Sequence, residues 1–350
     1  MVKHELTLPL LVALLLGMGL IAVSSAAIPS DFQKQLMGVG LGLIPVVAMW
    51  FLGRDRLYKL GPWLYVLSIL LLTATLVVGR EVNGSRNWLV LGPLQFQPLE
   101  LAKMALILAL ATVMRGGYKG LRSYLPPLLL FFPIFALVVK EDFGGAMVLS
   151  GILIAMLIVW RMPWWHLLLG LALVATVFTT VLYPHLKPYQ QKRLTIFVNP
   201  LQDPRGSGYQ VIQSLIAVGS GGMMGKGYKQ GTQTQKGFVY SQHSDFVFST
   251  WAEEQGFVGA VTLLVLFGAL FWRLAGMAGE SPQLQDQLVI SGVLGQLGVQ
   301  SLENIGATLS LLPLTGITLP LISYGLSSLV SVLATLGMVY VVHRDRMKNF

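Results

Sequence analysis

The chain has no cysteine. Disulfide staples and thiolate metal sites are therefore excluded at once. Histidine is almost as scarce. The five histidines stand at 4, 166, 185, 243 and 343, without the spacing of a helical ligand pair, so no histidine-built metal site is expected. Charge is the third shortage. Only 11% of the 350 residues are charged, against 54% hydrophobic, and a soluble chain of this length would need far more charge to cover its surface. Internal repeats and low-complexity tracts are missing too, which sets aside solenoids and disordered arrays.

What the chain does have is long apolar runs, at about 6–27, 36–53, 60–79, 99–114, 124–140, 144–160, 165–183, 246–273, 284–305 and 324–343. Roughly 20 apolar residues of helix cross a hydrocarbon core. Lipid offers the backbone no hydrogen-bond partners, so spanning segments of this kind are helical. The expected fold is an all-α polytopic membrane protein of about ten transmembrane helices. It forms one integral membrane domain over 1–350, with a large extracytoplasmic loop at 184–245 between helices 7 and 8. The run at 284–305 is the weakest, because Gln285, Asp286, Gln287, Gln296 and Gln300 interrupt it. The first run has Lys3 and His4 before it and small residues after it, like a signal peptide. Its length and the nine runs that follow make it a retained anchor.

The formal net charge of +9 describes orientation rather than a nucleic-acid partner. With the N-terminus inside, short inner segments carry Lys3, Arg54, Arg56, Lys59, Arg115, Lys119, Arg122, Arg161, Arg273, Arg344, Arg346 and Lys348. Short outer segments carry only Lys34, Arg80, Arg86 and Lys140. This positive-inside bias places both termini in the cytoplasm. The basic residues form no nucleic-acid footprint.

Two outer segments have the polarity for a site. In the first, Asn83-Gly84 and Gly92-Pro93 mark turns, and Pro98 suits the first turn of a helix. Glu100 and Lys103 then fall three apart on nearly one face, inside the outer end of a span. They read either as a structural ion pair or as a charged cavity lining. Arg86 is the other cation in reach, or else a solvated loop arginine. In the second segment, Tyr209–Val218 reads as an amphipathic interfacial helix, with Gln210, Gln213, Ser214 and Ala217 opposite its apolar face. Gly219-Ser220-Gly221-Gly222 and Gly225-Lys226-Gly227 follow. Backbone N–H groups plus lysine make a phosphate cradle, or simply a flexible loop. It is not a Walker A loop, since Gly227 stands where Ser or Thr should follow Lys226. Asp245 closes the segment at the mouth of the next span. A carboxylate there is a candidate for chemistry; the alternative is a helix N-cap.

Together the motifs resemble RodA/FtsW (SEDS) proteins along nearly the whole chain. They are Asn83-Gly84-Ser85-Arg86-Asn87-Trp88-Leu89, Phe96-Gln97-Pro98-Leu99-Glu100-Leu101-Ala102-Lys103, Gly208-Tyr209-Gln210 with Gln213-Ser214, the glycine-rich series through Gly231-Thr232-Gln233, His243-Ser244-Asp245-Phe246, Glu253-Glu254 with Gly256-Phe257, and Leu319-Pro320-Leu321-Ile322-Ser323-Tyr324-Gly325. The short termini are more like RodA than FtsW. The resemblance implies a peptidoglycan glycosyltransferase of the bacterial cytoplasmic membrane, polymerising lipid II at the outer face during cell elongation. It maps the family's essential aspartate to Asp245 and its Glu–Lys pair to Glu100 and Lys103. Arg86, Gln213, Ser220, Lys226 and His243 complete the candidate substrate-binding set. The chain departs from the family at Asn87, where Arg is usual, at Tyr240-Ser241-Gln242, where a Pro-Glu pair is usual, and at Gly325-Leu326-Ser327-Ser328.

The implied chemistry needs a base on the acceptor hydroxyl, for which Asp245 is the candidate. The leaving diphosphate needs cations, from Lys103, Arg86 or Lys226, with a divalent cation as a further candidate and no dedicated cage for it. An α-linked donor giving a β-linked product implies inversion and a single displacement, by analogy with inverting glycosidases. The implied partners are lipid II, the growing lipid-linked glycan, membrane lipid and a class B penicillin-binding protein. A lipid II flippase and a scaffold for cell-wall synthases are the rival readings.

Overall fold

The computed structural model describes residues 6–82, 85–91, 94–177, 179–180, 183–185, 191, 196–197, 199–203 and 206–346. Lys3, His4 and Lys348 lie outside the described residues, as do the expected turns at Asn83-Gly84 and Gly92-Pro93. A helix stands at each of the ten apolar runs: α1 (Thr7–Ala26), α2 (Pro29–Leu52), α3 (Arg54–Val78), α4 (Pro98–Met114), α5 (Leu125–Val139), α6 (Phe143–Val159), α7 (Trp164–Val177), then α9 (Val247–Gly279), α10 (Leu284–Thr308) and α11 (Leu326–Asp345). The amphipathic helix α8 (Ser207–Ser220) lies between α7 and α9 in the chain. Among the described residues, six stretches are by themselves long and apolar enough to cross a membrane: α1, α2, α3, Leu121–Val139, α9 and α11. The protein is thus an all-α polytopic membrane protein.

Three features depart from the hydropathy pattern. First, α2 and α3 start several residues before their apolar runs. Asp31 sits in the first turn of α2, where a carboxylate suits the helix dipole. Arg54, the first residue of α3, is 3% exposed and pairs with Asp286 at 3.0 Å. Second, α10 is one unbroken helix despite its polar residues. Gln296, Gln300, Glu303 and Asn304 are all buried, so its polarity is sheltered from lipid. Third, the segment expected as turns holds a three-stranded antiparallel sheet, β1 (Arg80–Val82), β2 (Ser85–Leu91) and β3 (Leu94–Phe96). Leu89 pairs with Phe96, and Leu91 with Leu94. Strand pairing satisfies backbone groups beside a membrane where a bare loop would leave them open.

The chain divides into two compact units. One comprises 1–46, 192–273 and 297–334; the other comprises 47–191, 274–296 and 335–350. Each is assembled from separated stretches, so no boundary shows in the linear hydropathy pattern.

Within the first unit, α9 is not continuous. Gly256 has φ 67° and ψ −166°, and it breaks the helix. The break would cost the bonds from Phe257 N–H to Glu253 O and from Val258 N–H to Glu254 O. The glycine-rich loop replaces both. Lys226 and Gly227 donate to the Glu253 and Glu254 carbonyls, each at 3.0 Å. Phe257 and Val258 donate to the Gly222 and Met223 carbonyls, at 2.8 and 3.1 Å. The four backbone groups freed by the kink are all satisfied.

Glycine is needed on both sides of this junction. A Cβ on Gly256 would meet Gly225 N at 2.2 Å, and one on Gly225 (φ 79°) would meet Glu254 O at 2.1 Å. Gly256→Ala should therefore lower the melting temperature in detergent, with about 1–3 kcal/mol lost from backbone strain alone. Gly219→Ala is the control, because nothing lies within 4 Å of its Cβ position. Equal melting temperatures for the two variants would rule out the close approach.

Candidate active site

Two buried carboxylates of the first unit, Glu253 and Glu254, come from the helix just before the kink. Glu253 is fully buried. One of its oxygens accepts from Lys226 Nζ at 2.7 Å, Gln233 N–H at 2.8 Å and Thr232 Oγ1 at 3.3 Å. The other accepts from Thr234 N–H and Thr234 Oγ1, both at 3.0 Å. The Lys226 ammonium also donates to Ser220 Oγ and Thr232 Oγ1, each at 2.7 Å. Its three hydrogens are thus directed at loop and helix groups. Glu254 has a separate environment, accepting from Ser25 Oγ at 2.5 Å and Gln235 Nε2 at 3.2 Å. These two acids fasten the 220–235 loop to α9.

A helix stands where the amphipathic segment is expected, as α8, and the face that meets protein is the one with small residues. Val211, Ser214 and Ala217 are buried, while Leu215 and Ile216 are exposed. Ser214 Oγ donates to Thr308 O at 2.9 Å. Ala217 packs with Val239, Phe246 and Leu314. Small side chains permit that close approach and leave the large apolar Leu215 and Ile216 exposed. Gln213 is half-buried beside this face.

Phe246 anchors the residue just before it, Asp245, which is half-buried. The turn leading there has Ser241 at φ 52° and is closed by bonds from Ser244 N–H and Phe246 N–H to Ser241 O. Gln242 Nε2 donates to Ala26 O at 2.9 Å. His243 stacks edge-on against Tyr324, with ring centroids 5.2 Å apart. The Tyr324 hydroxyl donates to Asp31, which also pairs with Lys34 at 3.0 Å. Burial lowers the His243 pKa below its ordinary value, against an opposing pull from Asp31 and Asp245. A neutral imidazole therefore stands near Asp245 at pH 7, leaving the carboxylate without a histidine cation. Asp31, Asn304, Ser323 and Tyr324 were not among the expected site residues. The Leu319–Gly325 motif was the only signal that could have pointed to Ser323 and Tyr324.

In the second unit, Glu100 and Lys103 form the expected pair, at 2.9 Å, with both side chains buried in the first two turns of α4. The Arg86 side chain is exposed. Its backbone N–H donates to Glu141 Oε2 at 3.0 Å, and Asn87 Nδ2 donates to Glu141 O at 3.3 Å. Gln97 Nε2 donates to Asp142, which caps α6 through Gly145 N–H at 2.7 Å. Strand β2 is thereby tied to the α5–α6 turn. Among the described residues, no three His, Asp or Glu side chains gather as a metal cage.

Fold and site together define a polytopic helical membrane protein with buried acids beside its longest loop. The family model for FtsW/RodA/SpoVE proteins, described as "Cell cycle protein", matches residues 6–348. A protein of Thioalkalivibrio sp. (strain K90mix), named probable peptidoglycan glycosyltransferase FtsW, is 36% identical over 98% of this chain and 90% of its own length. A solved chain described under the structural coordination of polymerization and crosslinking by a peptidoglycan synthase complex is 46% identical. Its TM-score is 0.87, with 99% of this chain and 100% of that one covered. The crystal structure of the Thermus thermophilus rod shape determining protein RodA is 40% identical, with a TM-score of 0.76 over 99% and 98% of the two chains. The chain belongs to the FtsW/RodA/SpoVE, or SEDS, family.

Glu253 offers a direct test of the loop fastening. Glu253→Gln keeps the shape, but its amide must turn a donor toward the N–H groups of Gln233 or Thr234. It should destabilise by about 3–5 kcal/mol, the usual cost of breaking a buried pair, read as a lower melting temperature. Lys226→Met should cost less, because two backbone N–H groups and two hydroxyls still face the carboxylate. The reverse order would show that the lysine, not the carboxylate, holds the loop.

Proposed function

We propose that this chain is a peptidoglycan glycosyltransferase that polymerises lipid II into glycan strands at the outer face of the cytoplasmic membrane during cell elongation. Asp245 is the general base. The observation that carries the reading is family membership along the whole chain, joined to an Asp245 that lies in a hydrogen-bonded turn beside a neutral histidine. An ionised carboxylate can take the proton of the acceptor 4-hydroxyl as that oxygen attacks the donor sugar. Inversion at the donor carbon follows from direct displacement, with the diphosphate leaving on the opposite side.

Lys103 and Arg86 are the cations proposed for the developing diphosphate charge. Glu100 fixes Lys103 by their short ion pair. Lys226 and Ser220 can serve the substrate only by exchanging a present partner. Gln213 and His243 are proposed as substrate hydrogen-bonding groups, and a divalent cation would enter with the diphosphate. The names of the relatives speak of glycosyl transfer and of polymerisation, which favours this reading over a flippase. The solved relative from a synthase complex supports a class B penicillin-binding protein as partner.

Asp245→Asn keeps shape and removes the base. Glycan synthesis by purified protein from lipid II should fall at least ~100-fold, read as polymer on a gel. Near-normal polymer from a folded Asp245→Asn protein would end the assignment.

Orientation has its own test on the cysteine-free background. A cysteine at exposed Lys236 should react with an impermeant thiol reagent added outside intact cells, and one at exposed Gly116 should not. The opposite labelling would invert the topology and remove the outer-face reading.

A further inference from the structure

The segment His243-Ser244-Asp245 has three successive backbone carbonyls, and each is held from a different donor. His243 O accepts from Tyr324 N–H at 2.8 Å. Ser244 O accepts from Ser323 Oγ at 2.6 Å. Asp245 O accepts from Asn304 Nδ2 at 3.0 Å. The donors are themselves fixed. Ser323 Oγ accepts from Leu319 N–H at 2.8 Å. Asn304 Nδ2 also donates to Ile317 O at 2.9 Å, so one amide joins Asp245 to the loop before α11. Gln35 of α2 clamps that loop from the far side, donating to Ser323 O at 3.1 Å and accepting from Gly325 N–H at 3.2 Å. Gln35, Asn304 and Ser323 are 0%, 2% and 5% exposed. Water therefore does not compete for these bonds.

Carbonyls in a loop that enters a helix ordinarily face solvent. Here the peptide planes on both sides of the Asp245 Cα are fixed by buried donors. Neither donor side chain belongs to the loop that carries Asp245. The arrangement over-determines one residue's backbone, which is what a reacting group needs and what a mere helix entry does not.

We propose that Ser323 and Asn304 are positioning residues for Asp245, acting through its flanking carbonyls to hold the carboxylate in line with the acceptor hydroxyl. The inference rests on the reading of Asp245 as the base. Misplacement by about 1 Å can cost on the order of 100-fold in rate, so loss of one clamp should slow turnover without weakening substrate binding.

The test uses full-length purified protein and lipid II, with rates normalised to folded protein from size exclusion. Ser323→Ala should lower kcat by about 10–100-fold and leave KM within about twofold. Ser323→Thr keeps the hydroxyl and should return kcat to within about threefold of the parent. Asn304→Leu should repeat the kcat loss if it folds; the serine pair decides the matter if it does not. In an Asp245→Asn background, Ser323→Ala should change the residual rate by less than about twofold, because its effect passes through Asp245. An unchanged kcat for Ser323→Ala, or a further equal loss on top of Asp245→Asn, would overturn the positioning role while leaving the base assignment standing. A near-normal Asp245→Asn rate would instead remove the base and the clamp's purpose together.

Discussion

The break at Gly256 is the constraint on which the loop side of this protein depends. Four backbone hydrogen bonds cross between a broken membrane helix and a glycine-rich loop. Each replaces a partner that an unbroken helix would have supplied. An open carbonyl or N–H away from water would cost several kcal/mol, so loop and kink support each other. The arrangement also explains the glycines. Gly225 and Gly256 approach so closely that neither leaves space for a Cβ.

Charge is handled by the same logic of complete pairing. Glu253 would be costly as a lone buried carboxylate, yet five donors surround it. Lys226 supplies the balancing charge from a partly exposed position. Glu100 and Lys103 solve the problem within two turns of one helix, and Arg54 with Asp286 solves it across distant stretches. None of these pairs is strong evidence of added stability, since desolvation offsets the Coulomb gain. What they do is fix geometry, because any other arrangement leaves a charge unpaired.

Asp245 stands apart from these acids. Glu253 accepts from loop donors, and Glu254 from Ser25 of α1 and Gln235; the turn at 243–245 is secured through its main chain. Backbone anchoring limits where the carboxylate can go. The nearby histidine is kept neutral by burial, so it can hydrogen-bond without neutralising the acid.

Sequence alone determined the membrane class, the places of the ten helical runs, the i,i+3 pairing of Glu100 with Lys103, and the singular position of Asp245. These rest on local rules: apolar length, helical spacing, and the cost of charge in lipid. It also carried the family resemblance, because the motifs are ordered and long. Tertiary structure decided what those rules cannot reach. The polar residues of α10 made that run look doubtful until burial around most of the helix accounted for them. The strands at 80–96 escaped notice because short alternating segments between helices give little periodic signal. Lys226 reads as part of a phosphate cradle or of a flexible loop, and nothing local announces its ion pair with Glu253, 27 residues away. Asn304 and Ser323 gave no sign of contact with Asp245, from which they lie 59 and 78 positions along the chain. Their hydrogen bonds join segments that only folding brings together, and no pattern in one segment records the carbonyl of another.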